Sequence, residues 1–455
     1  MSALPTPFAF SENPADHGML ARLGALFERL NERGVRCCLW KKSLQLPEII
    51  HGNGPLDLLV AERDMQAARL ALLDAGFTGC REAGATTPPG ESRYLGLDEA
   101  TGRLLTVVIR NRIFSGDRFQ QSWALPLEKM LLEERRKTLG VPLPSKETEL
   151  IGCVVRNMIS HATLPDLLLI LRSGCGPAAE YRHLTGEIDL QRTAELLQQY
   201  LPEIGFDTFL RGLVLLGRDE MTIPRALVGK KFKRALRKYR RRPGPSRLLL
   251  ATAAMLRTLW RRKRHHEGLE FQTGGRLIAV VGATAVERSA FTAALEKWLG
   301  SALAVQTIDF AEPSFLSPGL ALFTPARENK RVSGDNINIA PRHSRLAGAR
   351  LRRAWRTTRR GRLVITSGFP GNSSTHHSCG DIPPPDLVIE LVPAAETANQ
   401  QNDAATTTAE PQDLFTRALP GTANHPLPSI RVRVGQSSEQ MVATIRAELW
   451  RQLSQ

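Results

Sequence analysis

The sequence predicts an α/β protein with a C-terminal doubly wound parallel sheet, an N-terminal mixed α/β domain, and a helical region and basic connector between them. Three observations carry this. After Gly274, short apolar runs alternate with helical patterns, which is how parallel strands joined by crossover helices read. Before residue 144 the order is helix, strand, strand, helix and further strands, describing a small mixed domain. Between 221 and 266, sixteen Lys or Arg residues stand without one acid, so a segment of different chemistry separates the two parts.

In residues 16–34, Met19, Leu20, Leu23, Leu26, Phe27 and Leu30 recur at helical spacing, and Gly34 suits a helix C-terminus. Strands follow at 36–41 and 54–61, a helix at 63–76 closing on Gly76, and strands at 92–97 and 103–110; this N-terminal domain spans 1–144. Ser145 after Pro144 is placed to cap a helix through 159. Helical patterns recur at 165–172, 190–200 and 206–216, so 145–220 reads as all-helical. Two basic helices around a Pro243-Gly-Pro245 break form the connector, 221–268. In the remainder, 269–455, strands are expected at 277–281, 303–310, 363–366, 386–391 and 430–434. Helices are expected at 287–299, 345–360 and 439–453. Ala, Thr, Gln and Asn dominate 394–411, which reads as a disordered insertion.

With 455 residues and 42% hydrophobic composition, the chain can bury two or three cores. Its first residues lack the charged and apolar regions of a signal peptide. Its most apolar later run, 248–260, is too short to span a bilayer and contains Arg257, so a cytoplasmic protein is expected. Six cysteines without C-x-x-C spacing indicate neither a zinc site nor a disulfide framework and read as buried thiols. His376-His-Ser-Cys379 has no further ligands at a recognisable spacing, so no metal site is assigned there.

The formal charge of +16 equals the connector's sixteen cations, and the rest of the chain is balanced. Cations at this density repel one another and favour an anionic partner, against the competing reading of a solvated helical linker. Leu248, Leu249, Leu250, Met255, Leu256, Leu259 and Trp260 interleave with arginine. That amphipathic pattern favours an anionic membrane surface, at the inner face, over nucleic acid as the partner of 221–266.

The stretch 276–289 is an apolar run that breaks at Gly282 and passes into a helical pattern, as a phosphate-binding strand-loop-helix does. In G-x-x-x-x-G-K-[ST], backbone N–H groups cradle phosphate oxygens, the lysine reaches the outer phosphates and the hydroxyl holds Mg²⁺. Gly282, Arg288 and Ser289 are the residues of this stretch placed to contact a nucleotide. Glu287 stands where the second glycine belongs and Arg288 where the lysine belongs.

The C-terminal part resembles the thymidylate-kinase-like P-loop family, and the chain as a whole resembles bacterial two-domain proteins of surface-polysaccharide loci. Those proteins place a nucleotidyltransferase-like module before such a kinase-like module. The resemblance rests on Cys38-Leu-Trp-Lys41, Leu56-Asp-Leu-Leu-Val60, Tyr94-Leu-Gly-Leu-Asp98, the basic connector, the Gly282 loop, Gly361-Arg-Leu-Val-Ile365 and Pro383-Pro-Pro-Asp-Leu-Val-Ile389. It implies ATP and Mg²⁺ as ligands, an Asp-Arg-aromatic motif after the strand at 363–366, and two Mg²⁺ held by an Asp-x-Asp strand plus a third carboxylate.

The sequence departs from each of these. Ser367-Gly-Phe-Pro370 keeps only the aromatic of its motif, Pro55 replaces the first aspartate, and the strand 104–109 contains no acid. Asp57 matches the second aspartate as a vestigial catalytic residue, and otherwise reads as a solvent-facing acid at a strand end. The expectation is a catalytically impaired kinase-like protein that binds nucleotide or acts as a scaffold in surface-polysaccharide biosynthesis. One alternative is an active ATP-dependent dTMP-like kinase in which Arg288 and Ser289 handle phosphate and an acid elsewhere replaces the one missing at Ser367. Another is a peripheral membrane or nucleic-acid-binding protein organised by the connector.

Overall fold

The computed structural model describes residues 18–83, 88–116, 123–160, 177–186, 188–217, 223–241, 268–310, 340–369, 384–392 and 427–454. The expected helix at 165–172, the amphipathic run 248–260, the His376–Cys379 cluster and the insertion 394–411 lie outside them. The chain divides into two compact units, 1–267 and 268–455.

The first unit opens with α1 (Ala21–Glu32), β1 (Cys37–Leu39), α2 (Leu46–Ile50), β2 (Leu56–Val60), α3 (Met65–Asp74), β3 (Thr78–Glu82), β4 (Glu91–Asp98) and β5 (Arg103–Arg110). Within this unit the strands lie in the order β1-β2-β5-β4-β3. Only β2 and β5 run parallel; the other neighbours are antiparallel, so the sheet is mixed. Two short hairpins, β6 (Ile113–Ser115) with β7 (Trp123–Leu125) and β8 (Arg135–Thr138) with β9 (Val141–Pro144), flank α4 (Glu128–Glu133).

Residues of β2 alternate between the two faces of the sheet, and each face has its own helical cover. Leu56, Leu58 and Val60 cluster with Leu23, Leu26 and Phe27 of α1 and with Ala68 and Leu72 of α3. Leu59 and Ala61 cluster instead with Leu150, Ile151 and Val154 of α5 (Lys146–Ser160). The all-helical region is therefore the second cover of the N-terminal sheet. It continues as α6 (Pro177–Thr185), α7 (Leu190–Tyr200) and α8 (Phe206–Gly217).

The connector departs from the linker reading. Its first part, α9 (Ile223–Ala235), inserts Val228, Phe232 and Leu236 into the same cluster as α5 and α8, and Phe232 is fully buried. Beyond it, Arg240 bridges to Trp123 of β7, and the Arg241 guanidinium lies 4.3 Å from the Phe114 ring of β6. Apolar spacing inside a basic sequence, Val228-x-x-x-Phe232-x-x-x-Leu236, is what anchors this segment.

In the second unit, β10 (Leu269–Phe271) exchanges backbone hydrogen bonds with residues 302, 304 and 361. A five-stranded sheet follows in the order β12-β13-β11-β14-β15, formed by β11 (Leu277–Gly282), β12 (Val305–Asp309), β13 (Leu363–Ser367), β14 (Leu387–Val392) and β15 (Ser429–Arg433). All four pairings are parallel. Its helices are α10 (Ala285–Leu299), α11 (Ala340–Thr358) and α12 (Ser438–Ser454). Leu277, Ala279 and Val281 cluster with Leu351 and Ala354 of α11. By the two-residue period, Ile278 and Val280 face the other side, the side on which α10 packs against α12. Helices thus cover both faces of a parallel sheet, whose strands accordingly read as continuous apolar runs.

If α9 belongs to the core, Phe232→Ala costs about 3–5 kcal/mol. Urea denaturation of the full chain measures this. A loss within the scatter of surface substitutions would return α9 to the status of a linker.

Candidate functional site

The two places that carry candidate site residues lie in different units.

Asp57 is the second residue of β2, on the face covered by the helical layer, and is 5% exposed. This corrects the reading of a solvent-facing acid. Burial of a carboxylate requires a partner, and Arg110, the last residue of the neighbouring parallel strand β5, supplies it. Its Nε donates to Asp57 Oδ1 at 2.7 Å and its Nη2 to Oδ2 at 2.9 Å. The Lys41 ammonium, just beyond β1, lies 3.2 Å from the same Oδ2. Arg110 Nη1 continues to Glu91 Oε2 at 3.3 Å, and Arg93 reaches Glu91 Oε1 at 2.9 Å. Burial pushes the Lys41 pKa down, Arg110 and Arg156 push the same way, and Asp57 opposes them. Arg156 of α5 stacks over Trp40 at 5.7 Å and donates to both oxygens of Glu180 at 2.8 Å.

Two Mg²⁺ ions do not fit this arrangement. They need several carboxylates with free lone pairs, whereas Asp57 is held by a bidentate guanidinium and an ammonium. Glu91, the next carboxylate along the chain of charges, is itself shared between two arginines. Among the described residues no three His, Cys, Asp or Glu side chains gather as a metal site would require. The cations that neutralise Asp57 belong to the protein.

In the second unit, Gly282 ends β11 with φ 79°, and an added Cβ would stand 2.3 Å from the Leu391 carbonyl oxygen of β14. Only glycine fits so close to the neighbouring backbone. The helix that follows begins at Ala285, two residues earlier than the sequence reading, so Glu287, Arg288 and Ser289 are already helical. Between strand and helix lie only Ala283, at φ 42°, and Thr284. A phosphate-sized cradle of five loop residues is replaced by a tight turn.

A capping box closes that turn. The Thr284 hydroxyl accepts from the Glu287 N–H at 3.3 Å, and Glu287 Oε2 accepts from the Thr284 N–H at 2.8 Å and from its hydroxyl at 2.7 Å. The bond from the Thr284 N–H, then that from its hydroxyl, hold the Glu287 carboxyl below its usual range. Arg288 turns back along the helix, Nη1 donating to the carbonyl oxygens of Gly282 at 2.9 Å and Ala283 at 2.8 Å. Ser289 is exposed. A nucleotide phosphate here would meet the Glu287 carboxylate, and the loop's cation is already engaged by backbone oxygens. The nearby residues do not fit the phosphates of ATP as they stand.

At the Asp-Arg-aromatic position, Ser367 is buried with its hydroxyl unpartnered among the described residues. In register beside it on β12 stands Asp309, an acid that the sequence reading passed over. Arg110, Lys41 and Glu91 were passed over as well. Arg110 was visible as the residue ending an acid-free strand, but its partner is set by the β2–β5 register. Cys37, Cys38, Cys80 and Cys153 are buried, as read from the sequence.

No protein-family model matches this chain, and no curated protein matches its sequence.

Arg110→Met would leave a buried carboxylate short of its strongest partner and is expected to cost about 3–5 kcal/mol, with Asp57→Asn/Arg110→Met recovering most of it. A double-mutant cycle by urea denaturation checks this; independent single effects would show that the pair is not coupled. The capping box yields a pH prediction. Because the folded pKa of Glu287 is depressed, its contribution is present above the unfolded-state value and is lost as pH falls through the folded one. Carboxyl NMR should therefore place Glu287 below an ordinary glutamate, and Thr284→Ala, which removes the hydroxyl but keeps the backbone N–H, should raise it part of the way toward the ordinary range while destabilising by about 1 kcal/mol.

Proposed function

We propose that this chain is a non-catalytic relative of thymidylate-kinase-like P-loop proteins carrying an N-terminal nucleotidyltransferase-like module, and that it works as a scaffold or binding protein. The observation that carries this reading is the bidentate Asp57–Arg110 pair, which puts protein cations where a nucleotidyltransferase needs metal. The kinase-like half supports it independently. Its sheet order β12-β13-β11-β14-β15 places the first strand, β11, at the centre with a glycine turn at its carboxyl end, where open α/β sheets bind ligands. In that turn Glu287 takes the place of an anion at the helix N-terminus. The association with surface-polysaccharide biosynthesis rests on the family resemblance alone. If nucleotide binds, Gly282, Arg288 and Ser289 are the residues that would meet its phosphates, and Arg288 would have to release two carbonyl oxygens.

One observation favours the active-kinase alternative: Asp309 stands in register with Ser367, beside the position of the missing acid. Differential scanning calorimetry of the full chain with millimolar ATP and Mg²⁺ separates the readings. A scaffold without a phosphate site shows an unchanged melting temperature. Saturating nucleotide, at about a hundred times its dissociation constant, would instead add about 2.7 kcal/mol. Transfer of phosphate to dTMP that is lost in both Ser289→Ala and Asp309→Asn would overturn the non-catalytic reading.

A further inference from the structure

The basic helix α9 is held against the first unit's core by one face, which leaves the opposite face fixed in orientation. Along that outward face lie Leu227, Lys230, Lys231 and Arg234, all exposed, with Arg237 following. Leu227 is 54% exposed, and on the packed neighbour α8, Val214 is 55% exposed with Arg211 one turn before it. Lys238 pairs with Glu203, but Lys230, Lys231, Arg234 and Arg237 have no carboxylate partner among the described residues. Lys230 and Arg234 are four residues apart and Arg234 and Arg237 three, spacings at which like charges repel along a helix. The cations of the last turn complement the helix dipole, which accounts for Arg234 but not for the exposed leucine or for the lysines before it.

We infer that the outward face of α9 docks on an anionic lipid surface, lying flat with Leu227 entering the headgroup region and Lys230, Lys231, Arg234 and Arg237 over the lipid phosphates. One feature favours a bilayer over the other anionic partner, nucleic acid. Large exposed aliphatic side chains next to cations are what an interfacial helix inserts, whereas a phosphodiester backbone gains nothing from them. The bridge of Arg240 to Trp123 and the stacking of Arg241 over Phe114 hold these two cations on the folded surface.

The test is co-sedimentation of the full chain with phosphatidylglycerol/phosphatidylcholine vesicles and with pure phosphatidylcholine vesicles, at low and high salt. The chain should bind the anionic vesicles at low salt and release at high salt. Each cation near such a surface contributes about a factor of five, so K230E/K231E/R234E should weaken binding by about a hundredfold or more. An equal charge change on the opposite side of the first unit's sheet, R29E/R63E/R69E on and beside α1 and α3, controls for net charge and should leave binding within about threefold. Leu227→Ser should weaken vesicle binding but leave any binding of duplex DNA unchanged. Circular dichroism and melting temperature of each variant establish that it is folded. Absence of low-salt vesicle binding, equal losses from the α9 triple variant and the control triple variant, or an unaffected Leu227→Ser would each overturn the assignment. So would DNA binding that depends on the α9 cations while vesicles fail to sediment the protein.

Discussion

A carboxylate enclosed between a sheet and a helical layer has to be neutralised from within the protein, and the pairing of Asp57 with Arg110 meets that requirement. Much of the first unit's polar interior follows from it. Arg110 is buried too, so it needs acceptors on every side of its guanidinium, and Glu91 takes the remaining edge. Glu91 in turn holds Arg93, while Lys41 closes the other side of Asp57. Breaking one member leaves an uncompensated charge in a low-dielectric place, which is far more costly than the pair is stabilising. The chain of charges is thus better understood as a constraint on which residues can coexist than as a source of stability. It is also incompatible with the metal ions that the same strand positions would serve in a nucleotidyltransferase, because a guanidinium bound in bidentate fashion consumes the lone pairs that Mg²⁺ would use.

The turn at Gly282 obeys the same logic with the sign reversed. A helix N-terminus presents free N–H groups and positive potential, and something must accept those hydrogen bonds. In a phosphate loop the ligand does so. Here Glu287 does, with Thr284 completing the cap, and the shortened loop leaves no room to move the carboxylate aside without uncapping the helix. Arg288 satisfies the two carbonyl oxygens of the turn. In both units, an internal group carries the charge that a metal ion or a phosphate would bring to such a place.

The sequence made the regular elements legible wherever burial imposes a period. The helices at 190–200 and 206–216 and the five strands of the parallel sheet were readable because each must hide one stripe or both faces. The hairpins β6–β7 and β8–β9 were not, since strands of three or four residues carry too little alternation. Thr284-Ala-Val-Glu287 is a capping-box pattern in the sequence itself. It went unread because the eight-residue phosphate-loop template laid a loop across the same positions. Asp57 was found as a residue but not as a site, because its partner lies 53 positions away and is fixed by a register that only the assembled sheet defines. The packing of α9 was not legible because the charge around it obscured three apolar residues at helical spacing.

The packing of α9 bears on what the basic segment can do. A solvated linker with sixteen cations would sample many orientations, and any anionic partner would have to order it at an entropic cost. A helix whose Phe232 is buried has its orientation settled by folding, so its exposed lysines and arginines already face one direction. Docking by such a face spends little on ordering and depends on the summed charge and the few apolar groups it presents. The same burial that removes α9 from the class of flexible tails makes its outward surface a preorganised one. In the first unit the charged residues facing the sheet neutralise one another, whereas Lys230, Lys231 and Arg234 of α9 stay exposed on one face.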